Sequence, residues 1–455
     1  MTIREMGRLL RRGEVSSVEL IQDALRRIRE QDTFNTFITV TESSALQEAA
    51  ERDQERAAGI DRGPLHGIPI ALKDLFYTRG VRTTAGSLLF KDFVPDRDAW
   101  VVDRLRLGGA VSLGKLNLHE LAYGTSSKNP HFGFLLNPRD RSRIAGGSSG
   151  GSGVAIAAGF VPAALGTDTG GSIRIPASYC GVAGLKPTYG RVSRNGVIPL
   201  SWSLDHVGPL GATVSDCALM MADIAGHDPS DKACSAVPVP DFYAPPPRRL
   251  KGLRVGVPSN FFFERVDSEV SAAVHRAISD MERLGATLID VRLPDMQAIG
   301  ACQRVIQWAE ASAVHSSATD RTLVGPEVWP LLQQGRLISG IDYVVASRLR
   351  RYFRLEFDRI WEQVDVLAGP TTPVPAPRMS DEDIEIAGER ENVRLASTRL
   401  VRPVNLLGEP ALSMPYGSTS DGLPIGLQLI GPPFTDARLL RIGQRLEEFA
   451  ADVGH

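Results

Sequence analysis

Apolar residues along this chain recur with two spacings. Val18, Ile21, Ala24, Leu25 and Ile28 lie three to four apart behind Ser16 and Glu19, a capping-box pair, and predict an amphipathic surface helix. The same spacing carries Val270, Val274, Ala277, Ile278, Met281 and Leu284, with Gly285 as the stop. Short unbroken apolar runs punctuate these helices. "IPIAL" leads into Lys73, "AVSL" follows Gly108–Gly109, and "VPAALG" starts at Val161. "LRVGVP", "ATLIDVRLP", "VLAGP" and "LPIGLQLIG" follow, each short enough for a buried strand. Residues 303–365 read as mostly helical. Alternating helices and short strands predict an α/β fold.

Charge narrows the partners. Lys+Arg (51) nearly balances Asp+Glu (53), so no net field recruits nucleic acid or an anionic membrane, and a small, weakly charged substrate is expected. The four cysteines, Cys180, Cys217, Cys234 and Cys302, form no CxxC pair and fit a reducing compartment. The first residues lack the apolar region of a signal peptide, and no run of 18 apolar residues occurs. A cytoplasmic protein is the expectation. The proline-rich segment 236–252 is a candidate linker.

Two glycine-rich stretches carry the candidate chemistry. The first, "AGGSSGGSGVAIAAG", spans Ala145 to Gly159. It is not a Walker loop, because Ser152 follows Gly151 where lysine is required. It satisfies G-x-S-x-G, but His206, His227, His275, His315 and His455 include no convincing catalytic partner. A serine activated by lysine remains. Lys73, behind the apolar run, can act as a base only if burial brings its pKa from ~10.4 towards ~7–8. The alternative is a lysine snorkelling from a strand end. The second stretch, "GTDTGGSIR", places Thr169, Gly170 and Gly171 before Ser172. Successive amides in such a turn can converge on one point as an oxyanion hole. Taken alone, Ser172 reads as the N-cap of a following turn.

Together, "HGIPIALKD", "GGSSGGSGVAIAAG" and "ALGTDTGGSIRIPASYCGVAGLKPTYGRVS" resemble the amidase signature family, as do "SLDHVGPL", "GPTTPVPAP" and "NLLGEPALSMPYG" with "DGLPIGLQLIGPP". The separation of 24 residues between Ser148 and Ser172 is also the family's. The resemblance covers about residues 3 to 450. It implies one α/β/α domain over 1–455, with a twisted mixed sheet of about eleven strands. The core motifs would occupy about 63–215, and variable helices between about 300 and 400 would cover the substrate entrance. The proline-rich segment then becomes a surface connection. The basic stretch Ser347–Arg354 would be a solvated helix face.

The resemblance further implies a Ser–cisSer–Lys triad: Ser172 as nucleophile, Ser148 as bridge after a cis Gly147–Ser148 peptide, and Lys73 as base. The oxyanion hole would be the amides of Thr169, Gly170, Gly171 and Ser172. Ser149, Asp168 and Arg174 would order the loops. Ala122, Tyr123, Gly124 and Thr125 would line the acyl pocket, bordered by Gly147 and Ile175. No metal or cofactor is implied, and homodimers are frequent in the family. The implied function is hydrolysis of an amide or related C–N bond, carbamates and esters included. The alternative is the glutaminase component of a tRNA-dependent amidotransferase complex. Two departures favour the free-standing enzyme: Ile175 stands where such glutaminases usually have Gln, and "WAEASAVHSS" lacks their asparagine- and tyrosine-rich segment. The apolar Ile175 also points to neutral substrates.

Overall fold

The apolar runs become strands of one sheet. A computed structural model describes residues 1–453. In chain order the strands are β1 (Phe37–Val40), β2 (Pro69–Lys73), β3 (Val111–Leu116), β4 (Ala163–Asp168), β5 (Ala183–Lys186) and β6 (His206–Gly211). They continue with β7 (Arg254–Pro258), β8 (Thr287–Val291), β9 (Val366–Pro370), β10 (Ala411–Ser418) and β11 (Pro424–Ile430). Their spatial order is β1-β3-β2-β4-β6-β5-β10-β11-β9-β7-β8. The eleven-stranded sheet is mixed: β2 runs parallel to β3 and β4, whereas β4, β6, β5, β10, β11 and β9 pair antiparallel in succession.

All five residues of β2 and all six of β4 are buried, which explains why these runs are continuous rather than alternating. Apolar clusters fill the space between the sheet and its helices. One joins Leu72, Leu165 and Leu427; another joins Val154, Ala155 and Ile173. The two spaced helices form at Ser17–Gln31, with the Ser16–Glu19 capping box in place, and at Ser268–Arg283. The segment after residue 236 connects into β7 of the same sheet.

Three helices matter for the site: α1 (Gly150–Ala157), which follows the first glycine-rich loop; α2 (Arg174–Cys180), which follows the second; and α3 (Met296–Val314). Beyond them lie α4 (Gly340–Gln363) and the short α5 (Arg402–Leu407). On α4, Arg348, Arg351 and Arg354 are exposed as a solvated face requires. They share that face with exposed Ile341, Val344, Val345, Leu349, Tyr352 and Leu355, a row the sequence reading missed by attending to the charges. Arg350 instead turns inward, its guanidinium 5.7 Å from the Tyr189 ring centroid. Among the described residues no helix is long and apolar enough to cross a membrane.

Candidate active site

Lys73 is the last residue of β2, so its side chain leaves the strand end inside the protein, with no solvent exposure. Its Nζ lies 2.8 Å from Ser148 Oγ, 2.9 Å from Ser149 Oγ and 2.7 Å from Thr167 Oγ1. No ion pair forms at this lysine among the described residues. Burial lowers its pKa to about 7, against the opposing pull of the Asp205 and Asp168 carboxylates. Lys115 is equally buried, but its Nζ is 3.0 Å from Asp74 Oδ1, which makes it a structural pair. Lys186, also lowered to about 7 by burial and by Arg174, donates to the Pro187 carbonyl at 3.0 Å. Of the three, only Lys73 meets serine hydroxyls.

The protons around Nζ can be assigned. Ser149 donates its hydroxyl proton to the Thr167 carbonyl at 3.0 Å and accepts from the Thr167 N–H at 3.2 Å. Ser149 therefore only accepts from Lys73. A neutral amine has two N–H donors and one lone pair, so that lone pair must be met by Ser148 or Thr167. The arrangement can move a proton from Ser148 to Lys73.

The peptide Gly147–Ser148 is cis. A Cβ on Gly147 would stand 2.9 Å from Ser127 Oγ and 3.0 Å from the Thr125 carbonyl carbon, so this loop packs directly on the 122–127 segment. The two glycine-rich loops are tied together where the Ser149 amide donates to the Ser172 carbonyl at 3.2 Å. Ser172 keeps 8% exposure, while Lys73, Ser148 and Ser149 have none. Its hydroxyl forms no hydrogen bond with a described residue. The cap at the start of α2 is Ile173, without a side-chain bond, so Ser172 is not spent on capping.

The second loop is held by a buried charge network. Arg174 donates to Asp168 through Nε (3.0 Å) and Nη2 (3.1 Å), to Gln428 Oε1 at 2.8 Å and to Asn405 Oδ1 at 2.7 Å. Asn405 Nδ2 donates to the Asp168 carbonyl and carboxylate at 3.0 and 2.8 Å. Burial would raise the Asp168 carboxyl, but the Arg174 guanidinium overrides it and holds the group well below the usual carboxylate range. The same carboxylate accepts the Gly171 N–H at 2.7 Å and the Ile173 N–H at 3.2 Å. Of the four amides expected to form the oxyanion hole, that of Gly171 is thus engaged by a carboxylate. The Gly171 amide is committed to Asp168, because a positive φ of 117° at Gly171 turns the chain back over its own carboxylate. The amides of Thr169, Gly170 and Ser172 donate to no described residue and remain available.

The other expected positions divide. Ala122 lines a cavity of about 220 Å³ together with Thr167, Thr169, Leu200 and Asp205. Thr169 Oγ1 donates to Asp205 at 2.6 Å. Tyr123 is buried, and Gly124 packs so tightly on the His119 ring that a Cβ would fall 2.1 Å from Nε2. Ile175 has no exposure and sits in an apolar cluster with Ile144, Tyr179, Val393 and Val401. His206 bonds through Nδ1 with the Leu204 and Asp168 carbonyls at 2.6 and 3.1 Å, away from both serines. His455 lies outside the described residues. Sequence reasoning missed Thr167, Asn405 and Gln428. All three stand inside quoted motifs, but only tertiary contact reveals their partners.

The fold, with a strand-end lysine against paired serines beside a glycine turn with free amides, is that of an amidase-type hydrolase. Residues 19–440 match the Amidase family, and the chain belongs to it, within the amidase signature group. It is 42% identical to a glutamyl-tRNA(Gln) amidotransferase component of Chromohalobacter salexigens over 98% of this chain and 96% of that protein. Its fold superposes with a TM-score of 0.94 and 38% identity on a chain of a vestigial protein complex tied to the origins of an s-triazine catabolic enzyme, covering 99% and 98% of the two chains. Against the peptide amidase of Stenotrophomonas maltophilia the TM-score is 0.87, with 32% identity, covering 99% and 97% of the two chains.

Proposed function

We propose that this protein is a free-standing hydrolase of small amides or carbamates, working through a Ser172–Ser148–Lys73 relay and a covalent acyl-enzyme. The observation that carries the reading is the fully buried, unpaired Lys73, 2.8 Å from Ser148 and poised near neutrality. Ser172 Oγ attacks the carbonyl carbon as its proton passes to Ser148 and the Ser148 proton passes to the Lys73 lone pair. The resulting oxyanion meets the uncommitted amides of Thr169, Gly170 and Ser172. Collapse breaks the C–N bond, and the relay returns a proton to the departing nitrogen. Water then attacks the ester carbonyl along the same route, releasing the acid and restoring Ser172.

The second reading is a glutaminase within an amidotransferase, favoured by the 42% identity to a component of such a complex. Against it stands Ile175, sealed in an apolar cluster where the resemblance expects glutamine. The deciding experiment assays the purified chain on an anilide, an aryl carbamate and an ester, beside glutamine with and without the other amidotransferase components. Turnover of the synthetic substrates by the isolated chain supports the free-standing enzyme. Glutamine hydrolysis that depends on added partners, without synthetic turnover, overturns it.

A further inference from the structure

The surroundings of Gly170 hold an arginine that the relay does not use. Arg402 opens the short helix α5 and is only 6% exposed. Its guanidinium forms no hydrogen bond or ion pair among the described residues, and its Nε is buried without a partner. A Cβ built on Gly170 would stand 3.7 Å from that Nε, 3.6 Å from Gln307 Oε1 and 3.4 Å from Gln303 Nε2. The space above Gly170, two residues from Ser172, is thus bounded by these three side chains.

The placement is rigid because α5 is registered on the loop at three points. Val401 fills the space that a Cβ on Gly171 would need, at 2.3 Å. Arg402 follows over Gly170, and Asn405 clamps Asp168 at 2.8 and 3.0 Å. On the other side, Gln303 of α3 donates to the Thr169 carbonyl at 3.0 Å and to Gln307 at 2.9 Å, leaving the Gln307 amide nitrogen without a described acceptor.

The charged side chains that act on Arg402 are the cations Arg394 and Arg304. Arg394 lies 5.8 Å from the Tyr123 ring centroid, and the Tyr123 hydroxyl is buried without a hydrogen-bond partner among the described residues. Arg394 and Arg304 both act on Arg402, whose pKa burial and these cations lower to about 9, so it stays charged at neutral pH. The carboxylate acting on Arg394 is Glu327, more than half exposed. Buried guanidinium groups are ordinarily paired, and their planar fork matches a carboxylate. Here the guanidinium meets no carboxylate among the described residues, and the one unpartnered buried oxygen on the side chains bounding Gly170 is the neutral amide Oε1 of Gln303.

We propose that Arg402, supported by Arg394, Tyr123 and Gln307, forms a carboxylate subsite beside the oxyanion loop, so that the substrate is a short amide whose acyl portion ends in a carboxylate. This rests on the hydrolase reading and replaces the neutral substrates expected from composition. Global charge balance conceals the cationic influence of Arg304 and Arg394 on Arg402.

The test compares kcat/KM for succinamate and butyramide, which differ by a carboxylate in place of a methyl group. Succinate binding to the full chain, measured by calorimetry, supplies a readout independent of turnover. Succinamate should be preferred by about 30-fold or more, with that ratio collapsing in Arg402→Gln and falling in Arg402→Lys, which keeps charge but loses the fork. Succinate binding should weaken in parallel. Equal use of the two amides, or a ratio and succinate affinity indifferent to both variants, overturns the subsite while the hydrolase stands. If neither amide is cleaved and a fluorophosphonate fails to label Ser172, the hydrolase reading fails instead. Succinate binding then decides the subsite alone: loss in the variants supports it, and wild-type affinity refutes it.

Discussion

Lys73 Nζ and Ser148 Oγ are 2.8 Å apart, and neither residue touches solvent. Most of what this protein is expected to do in solution follows from that pair. An amine there can serve as a base because burial, rather than a neighbouring histidine, has lowered its proton affinity enough to leave it neutral part of the time near pH 7.

The pH profile follows directly. Lys73 accepts a proton only when neutral, and its pKa is lowered to about 7. Activity (kcat/KM) should rise tenfold per unit below pH 7 and level off above it. Lys73→Ala should retain its fold and lose rate most near neutrality. A wild-type profile flat from pH 5 to 9 would refute the assignment.

Ser172→Ala should abolish turnover, by about 10³-fold or more, and remove covalent labelling by a fluorophosphonate. Its melting temperature should stay close to that of the wild type, because the Ser172 hydroxyl bonds to no described residue. Labelling that persists in this variant would move the nucleophile elsewhere.

Thr167 is a positioning residue, and a pH readout separates that role from a structural one. Its hydroxyl is 2.7 Å from Nζ and accepts a bond from the ammonium form. Thr167→Val removes that acceptor and disfavours the charged lysine, so the midpoint of the kcat/KM profile should move below pH 7. Thr167→Ser should restore it. An unmoved midpoint would show that Thr167 only packs.

The same lysine makes stability depend on pH. Between its folded pKa of about 7 and its ordinary value of 10.5, the unfolded chain binds a proton that the native state lacks. The Lys73 contribution is therefore unfavourable below pH 7 and disappears as pH rises to 10.5. Lys73→Met should be more stable at pH 7 by at most ~4 kcal/mol, less what is lost by leaving hydroxyls unpaired. That advantage should shrink towards pH 10. Urea unfolding of the two proteins at several pH values checks the sign.

Asp168→Asn leaves the Arg174 guanidinium buried opposite a neutral group and releases the carboxylate that holds the Gly171 amide. Breaking such a pair costs roughly 3–5 kcal/mol. Both the urea midpoint and the turnover should fall. Unchanged stability would show that Gln428 and Asn405 carry Arg174 by themselves.

Local pattern determined a large share of this protein. The continuous apolar run before Lys73 specified a buried strand, because only a strand covered on both faces tolerates such a run. The glycine-rich motifs, with serines 24 residues apart, singled out the residues that the structure brings together at the Lys73 end of β2. What sequence could not reveal are relationships between distant segments. Thr167 on β4 meets Lys73 on β2 across parallel neighbours, and Asn405 reaches Asp168 across 237 residues. The bond from the Gly171 amide to the Asp168 carboxylate is likewise set by the turn and not legible in residue order. Composition reported a nearly neutral chain, yet folding places Arg402 beside Gly170, within the influence of Arg304 and Arg394. The physical reason is that residue type and spacing fix local conformation and burial tendency. Charge fields, amide partners and lysine poise instead depend on distances between segments, and only the closed sheet and its packed helices set those.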